Sequence, residues 1–148
     1  MLATHGTKKE ETPVKTAYLA KKLGIAEYID FMPFSSQVHD LIIRDAMYIN
    51  SSDYEGMSNA MLEAMALGLP VVATDCPPGG PRMVITQEEN GLLVPVGDEE
   101  ALAAAVNRLI EEPEFAKELG ERASKIGEKA GAEMIFKEWE NYVLEVCK

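Results

Sequence analysis

Short apolar runs alternate along the chain with stretches whose apolar residues recur every three or four positions. The runs Tyr28 to Met32 (YIDFM), Ala46 to Asn50 (AMYIN), Leu69 to Thr74 (LPVVAT) and Gly91 to Val96 (GLLVPV) have the length and bounds of buried strands. Met1 to His5 could be the stump of another. Helical spacing covers Thr12 to Leu23, closed by Gly24, then Val38 to Arg44, Asn59 to Leu67, and Glu99 to Ile110 with Asp98 as N-cap. After Pro113 the helical period runs to the end, with Phe136, Trp139, Tyr142, Val143 and Val146 on one face. Strands alternating with helices predict an α/β fold: a Rossmann-like parallel sheet with helices on both faces.

The helix over Asn59 to Leu67 has the clearest limits. Ser58 is a good N-cap, Gly68 suits the left-handed position after the last turn, and Pro70 follows. A helix that starts at a fixed point at the carboxyl edge of a parallel sheet offers its unpaired first-turn amides and the positive end of its dipole to an anion. Glu55 lies before this helix and Glu63 in its second turn, so they flank its start and do not share a face. Carboxylates only accept hydrogen bonds; they suit sugar hydroxyls and not phosphate. A ligand with hydroxyl-bearing rings on either side of a diphosphate matches that arrangement, although two glutamates eight apart are also what a solvated helix supplies. The Pro/Gly loop Cys76 to Arg82 follows a strand, where ligands bind in open α/β sheets, and is equally readable as a tight connection.

The composition bounds these readings. The 148 residues are one domain's worth of chain, with 47% apolar and 26% charged positions. The balance 14 − 25 gives a net charge of −11, which repels phosphate backbones and anionic lipid, so no nucleic-acid partner is expected and any anion must be held locally. Cys76 and Cys147 have no zinc-like spacing and read as reduced thiols. No export signal or run of about 18 apolar residues is found, which predicts a cytoplasmic chain with no integral membrane segment. His5 and His39 read as surface residues, and no Asp-x-Asp occurs.

The string SSDYEGMSNAMLEAMALGLPVVATDCPPGGPRMVI, followed by ENGLLVPVGDEEALAAAVNRLI, resembles the C-terminal nucleotide-sugar-binding domain of the retaining group 1 glycosyltransferases, which have the two-lobe GT-B fold. The match runs from about Gly24 to Ile110 and carries the Glu-x7-Glu signature at Glu55 and Glu63. The resemblance implies that Glu55 contacts hydroxyls of the transferred sugar, as the catalytic position, and that Glu63 holds the ribose. Backbone amides of Gly56, Met57, Ser58 and Asn59 would cradle the diphosphate, and Met32 and Pro33 would hold the base. Tyr54, Met57 and Asn59 flank Glu55, where they could tune sugar choice or simply pack. The donor would be a nucleotide-diphosphate sugar such as a UDP- or GDP-sugar, with no cofactor and no metal, and the leaving phosphate itself would assist a front-face attack. The acceptor would be a glycan, lipid or polysaccharide precursor.

The resemblance also implies what this stretch of sequence lacks. The family's domain opens with a strand and helix that bring an Arg and a Lys to the diphosphate, and the pattern here begins at or inside the second strand. Arg82 is the basic residue that could partly substitute, and Met83 stands where relatives often carry Glu. The N-terminal lobe that brings the acceptor is not represented, so an isolated chain is expected to be inactive. Residues 132–148 would form the helix that crosses to that lobe. Exposed sheet edges and the Trp139 face predict a homodimer or reliance on a second polypeptide. A full-length enzyme would be cytoplasmic or held at the inner face of the membrane. Two other functions fit the same string: a nucleotide-sugar epimerase of the same fold, and a non-catalytic interaction module.

Overall fold

The computed structural model describes residues 12–32, 42, 43, 45–130 and 132–146. They fall into two units, Met1–Leu41 and Ile42–Lys148. In the first, helix α1 spans Thr12–Lys22, ends in two lysines, and is followed by a 3-10 turn over Ala26–Tyr28. The expected strand at Tyr28 to Met32 does not form a ladder among the described residues. The amides of Tyr28 and Ile29 are instead taken by the carbonyls of Ile25 and Ala26, at 3.0 and 3.4 Å, as the chain turns just after α1. The proposed stump at Met1 to His5, nearly all of the helix expected over Val38 to Arg44, and Pro33, His5, His39 and Cys147 lie outside the described residues.

The second unit is built on three parallel strands in the order β1-β2-β3: β1 Tyr48–Asn50, β2 Val71–Thr74 and β3 Leu92–Val94. Tyr48 is in register with Val71 and Asn50 with Ala73, while Val72 faces Leu92 and Thr74 faces Val94. β2 is central, and all four of its residues are buried, the sequence signature of a strand covered on both faces. Side chains alternate between those faces. Val71 and Ala73 pack with Met61, Ala64 and Met65 of helix α2 (Asn59–Ala66) and with Ile126. Val72, Leu92 and Val94 pack on the other side against Leu109 of α4 (Glu99–Glu111) and Leu119 of α5 (Pro113–Ala123). The result is the expected parallel sheet with helices on both faces.

Two elements differ from the sequence reading. The Pro/Gly loop closes into a short helix α3, Gly80–Val84, because Gly79 at φ +107° turns the chain and Pro81 presets helical backbone in the first turn. The stretch after Pro113 is three helices, α5, α6 (Ile126–Ala130) and α7 (Ala132–Val146). The first break falls at Ser124, whose hydroxyl donates back to the Glu121 carbonyl at 2.8 Å. On β3 the Val94 carbonyl accepts the Asp75 amide from the β2 side at 2.8 Å, so the neighbouring Leu93 amide points outward. There it donates to Gln87 Oε1 at 2.6 Å.

Candidate functional site

The carboxyl ends of β1 and β2 carry the residues of interest, and a local network fixes the chain as it leaves them. The buried Asn50 accepts at Oδ1 from the Ser52 amide at 3.2 Å and from the Ser52 hydroxyl at 2.7 Å. The Thr74 hydroxyl donates across to the carbonyls of Asn50 and Ser52, tying the end of β2 to the exit of β1. The Ser52 hydroxyl also stands 3.4 Å from Glu55 Oε2. The Ser52 proton is committed to Asn50, so Glu55 stands beside this network with its oxygens open to other donors.

The loop leading to α2 is fastened to the loop leading to α3. The Glu55 amide donates to the Pro77 carbonyl at 3.0 Å, and Glu55 and Pro78 form an isolated parallel bridge. Next to it the Gly80 backbone lies so close to the Gly56–Met57 peptide that a Cβ at position 80 would stand 1.8 Å from the Gly56 carbonyl oxygen. Only glycine permits that approach. The two loops thus form one edge above the sheet.

Helix α2 starts beneath this edge. Ser58 caps it, its Oγ accepting the Met61 amide at 3.4 Å while the Ser58 carbonyl receives Leu62 at 3.0 Å. Gly68, at φ +78°, terminates it as expected. The first-turn amides of Asn59 and Ala60 have no carbonyl one turn back within the helix, and they open onto the carboxyl edge of the sheet with the positive end of the dipole. Glu63 is the fifth residue of α2, in its second turn, half-buried like Glu55. The Tyr48 side chain packs against the core cluster beneath α2, within electrostatic reach of both carboxylates. Burial holds the Tyr48 hydroxyl's pKa above its ordinary value of 10.0; the Ser58 contact opposes that, and the two glutamates add to it.

Gly56 and Ser58 are half-buried, and Met57 and Asn59 are exposed beside them. Arg82 lies in α3 with its side chain along Gly79, and its Nε is 2.6 Å from Asp75 Oδ1 in an exposed ion pair. Met83 is exposed. Met32, also exposed, belongs to the first unit. A cavity of about 300 Å³ runs along β3 and α4, lined by Leu92, Val94 and Ala105 among others, and includes none of these site residues. Among the described residues no group of three or more His, Cys, Asp and Glu stands together as metal ligands, and no helix is long and apolar enough to cross a membrane. Sequence reading did not single out Tyr48, Asn50, Ser52 or Thr74. The pairing Asn-x-Ser at a strand end, and the parity of Tyr48 with Asn50, are the signals that point to them.

A parallel sheet covered by helices on both faces, with a capped helix start at its carboxyl edge, defines a doubly wound type of α/β domain. Residues 4–126 match the family of glycosyl transferases group 1, and the chain belongs to that family, corresponding to its C-terminal domain. An uncharacterized glycosyltransferase of Haemophilus influenzae is 32% identical over 134 residues, which is 90% of this chain and 37% of that protein. The putative glycosyltransferase EpsD of Bacillus subtilis is 37% identical over 107 residues, 72% of this chain and 28% of EpsD. The chain therefore spans only about 37% and 28% of the lengths of these two relatives. Among solved structures, Anabaena HepE in complex with UDP superposes over 97% of this chain and 39% of its own, with a TM-score of 0.84 and 20% identity, a likeness of fold. TarM aligns over 94% of this chain and 27% of its own, with a TM-score of 0.80 and 26% identity.

Proposed function

We propose that this chain is the donor-binding lobe of a retaining glycosyltransferase that moves a hexosyl group from a nucleotide-diphosphate sugar to a glycan, lipid or polysaccharide precursor. The observation that carries the reading is the Ser58-capped start of α2 at the carboxyl edge of the sheet, flanked by Glu55 and Glu63. The diphosphate would lie over the amides from Gly56 to Asn59. As the glycosidic bond breaks, negative charge grows on the leaving phosphate, and amides fixed in place before the reaction stabilise it without reorganising. Glu55, beside Ser52, would accept from hydroxyls of the transferred sugar, and Glu63 from those of the ribose. Arg82 could add charge only by leaving or sharing Asp75. The UDP present in the HepE structure supports a nucleotide-sugar donor, and the relatives' names support glycosyl transfer. The acceptor would come to a second lobe, and the apolar row on α7 offers a surface for that lobe, a second polypeptide or a second copy of the chain.

Titration calorimetry of the 148-residue chain with UDP, GDP, ADP and UDP-glucose tests the donor site. One nucleotide is expected to bind best, and Glu63→Ala to weaken it by about 10- to 150-fold, the worth of a hydrogen bond to a charged group. Equal binding by the variant rejects the ribose role of Glu63. A folded chain that binds none of the four rejects the donor-lobe reading.

A further inference from the structure

The two loops above the sheet meet at one peptide group, and the contact sets which way that group faces. A Cβ built on Gly80 would meet the Gly56 carbonyl oxygen first, the carbonyl carbon next, and the Met57 nitrogen last, at 2.9 Å. The oxygen end of the Gly56–Met57 peptide is therefore the end turned toward Gly80. This peptide is trans, so its N–H lies opposite its C=O, and the Met57 amide proton points away from Gly80. Among the described residues no acceptor takes that proton. The Glu55 amide, two residues earlier, is by contrast spent on the Pro77 carbonyl.

Residue 56 does not fix this orientation by itself. It is a glycine, and a Cβ there would meet nothing within 4 Å, so its backbone is free to turn. Turned by half a revolution, the same peptide would aim a carbonyl lone pair where the amide proton now points, and a lone pair repels a phosphate oxygen. The space at position 80 decides between the two. Gly80 has no positive φ, so its own backbone conformation does not call for glycine. What calls for it is the Gly56 carbonyl, which lies against glycine hydrogens where any other residue would place a carbon.

We infer that Gly80 is a positioning residue for the donor site: by admitting the Gly56 carbonyl oxygen it holds the Gly56–Met57 peptide with the Met57 amide turned outward, to donate to an oxygen of the bound diphosphate. The inference rests on the donor-site reading above. Gly80 touches no ligand itself; it acts through the peptide it lets in.

The test is proton–nitrogen NMR titration of the 148-residue chain and its Gly80→Ala variant with UDP, and with uridine as a probe that lacks phosphate. In the wild-type chain UDP should move the Met57 amide proton to lower field and slow its exchange with water, and uridine should do neither. In Gly80→Ala the affinity for UDP should fall by about 10- to 150-fold, the range for a hydrogen bond to a charged group, with uridine binding unchanged. An equal loss for uridine assigns Gly80 to packing and overturns the inference, as does unchanged UDP binding by the variant. A strong Overhauser effect between the Met57 amide proton and the Gly80 α-protons in the unliganded wild-type chain would show the peptide turned the other way, and overturns it whether or not the variant folds. UDP binding that leaves the Met57 amide unmoved, with Glu63→Ala still impaired, overturns this inference alone. A wild-type chain that binds no UDP overturns the donor reading and this inference together.

Discussion

At the scale of single residues, Tyr48 does more than its place in a three-residue strand suggests. Its folded pKa is raised above 10.0, chiefly by burial, so the native state holds the phenolic proton more tightly than the unfolded chain does. The sign follows: between 10.0 and the higher folded value the native state binds more protons than the unfolded one, and stability falls as pH rises through that window. Below pH 10 this contribution is fully present. Denaturant melts at pH 9 to 11.5 should therefore show an alkaline loss of stability that is smaller in Tyr48→Phe. A slope identical in the two proteins would mean that Tyr48 titrates alike in both states. Glu55 and Glu63 were legible as candidates because their meaning lies in local sequence, before and within a capped helix. Tyr48, Asn50 and Thr74 were not, because what they touch depends on the register of β1 with β2.

At the scale of elements, α2 was readable from its two ends, since a serine cap and a left-handed glycine act within one turn of the chain. The segment Tyr28 to Met32 was not, because a strand exists only through a partner that its own residues do not encode. Helix α3 was hidden for the opposite reason: its Pro and Gly residues are turn formers, and only the Glu55–Pro78 bridge and the close backbone approach at Gly80 show what the turn is for. That approach gives a sharp contrast between neighbours. Gly80→Ala pushes a methyl into the Gly56 carbonyl, and should cost about 1–3 kcal/mol and several degrees of melting midpoint while also weakening nucleotide binding. Gly56→Ala, whose Cβ would meet nothing within 4 Å, should leave the midpoint nearly unchanged. Equal midpoints for the two variants would show that the loops are not pressed together in solution.

At the scale of the whole molecule, helix α7 carries a strongly apolar stretch of surface, where Phe136, Trp139, Tyr142, Val143 and Val146 are all at least half exposed. Trp139 stacks edge-on to Tyr142, with ring centroids 6.0 Å apart. It is the chain's single tryptophan, so its fluorescence reports on this face alone. In dilute solution it should emit as an indole in water and be readily quenched by iodide. Covering the face, by a second copy at high concentration or by an added lobe, should shift the emission to shorter wavelength and protect it. Blue emission insensitive to iodide in a dilute monomer would mean the face is covered within the chain itself. The far side of the sheet invites a different comparison. At β3 the carboxamide of Gln87 occupies the place a neighbouring strand would take. That single side chain acts as a stopper against templated growth at this edge, so crowding should not join these molecules into an extending ribbon of strands through β3.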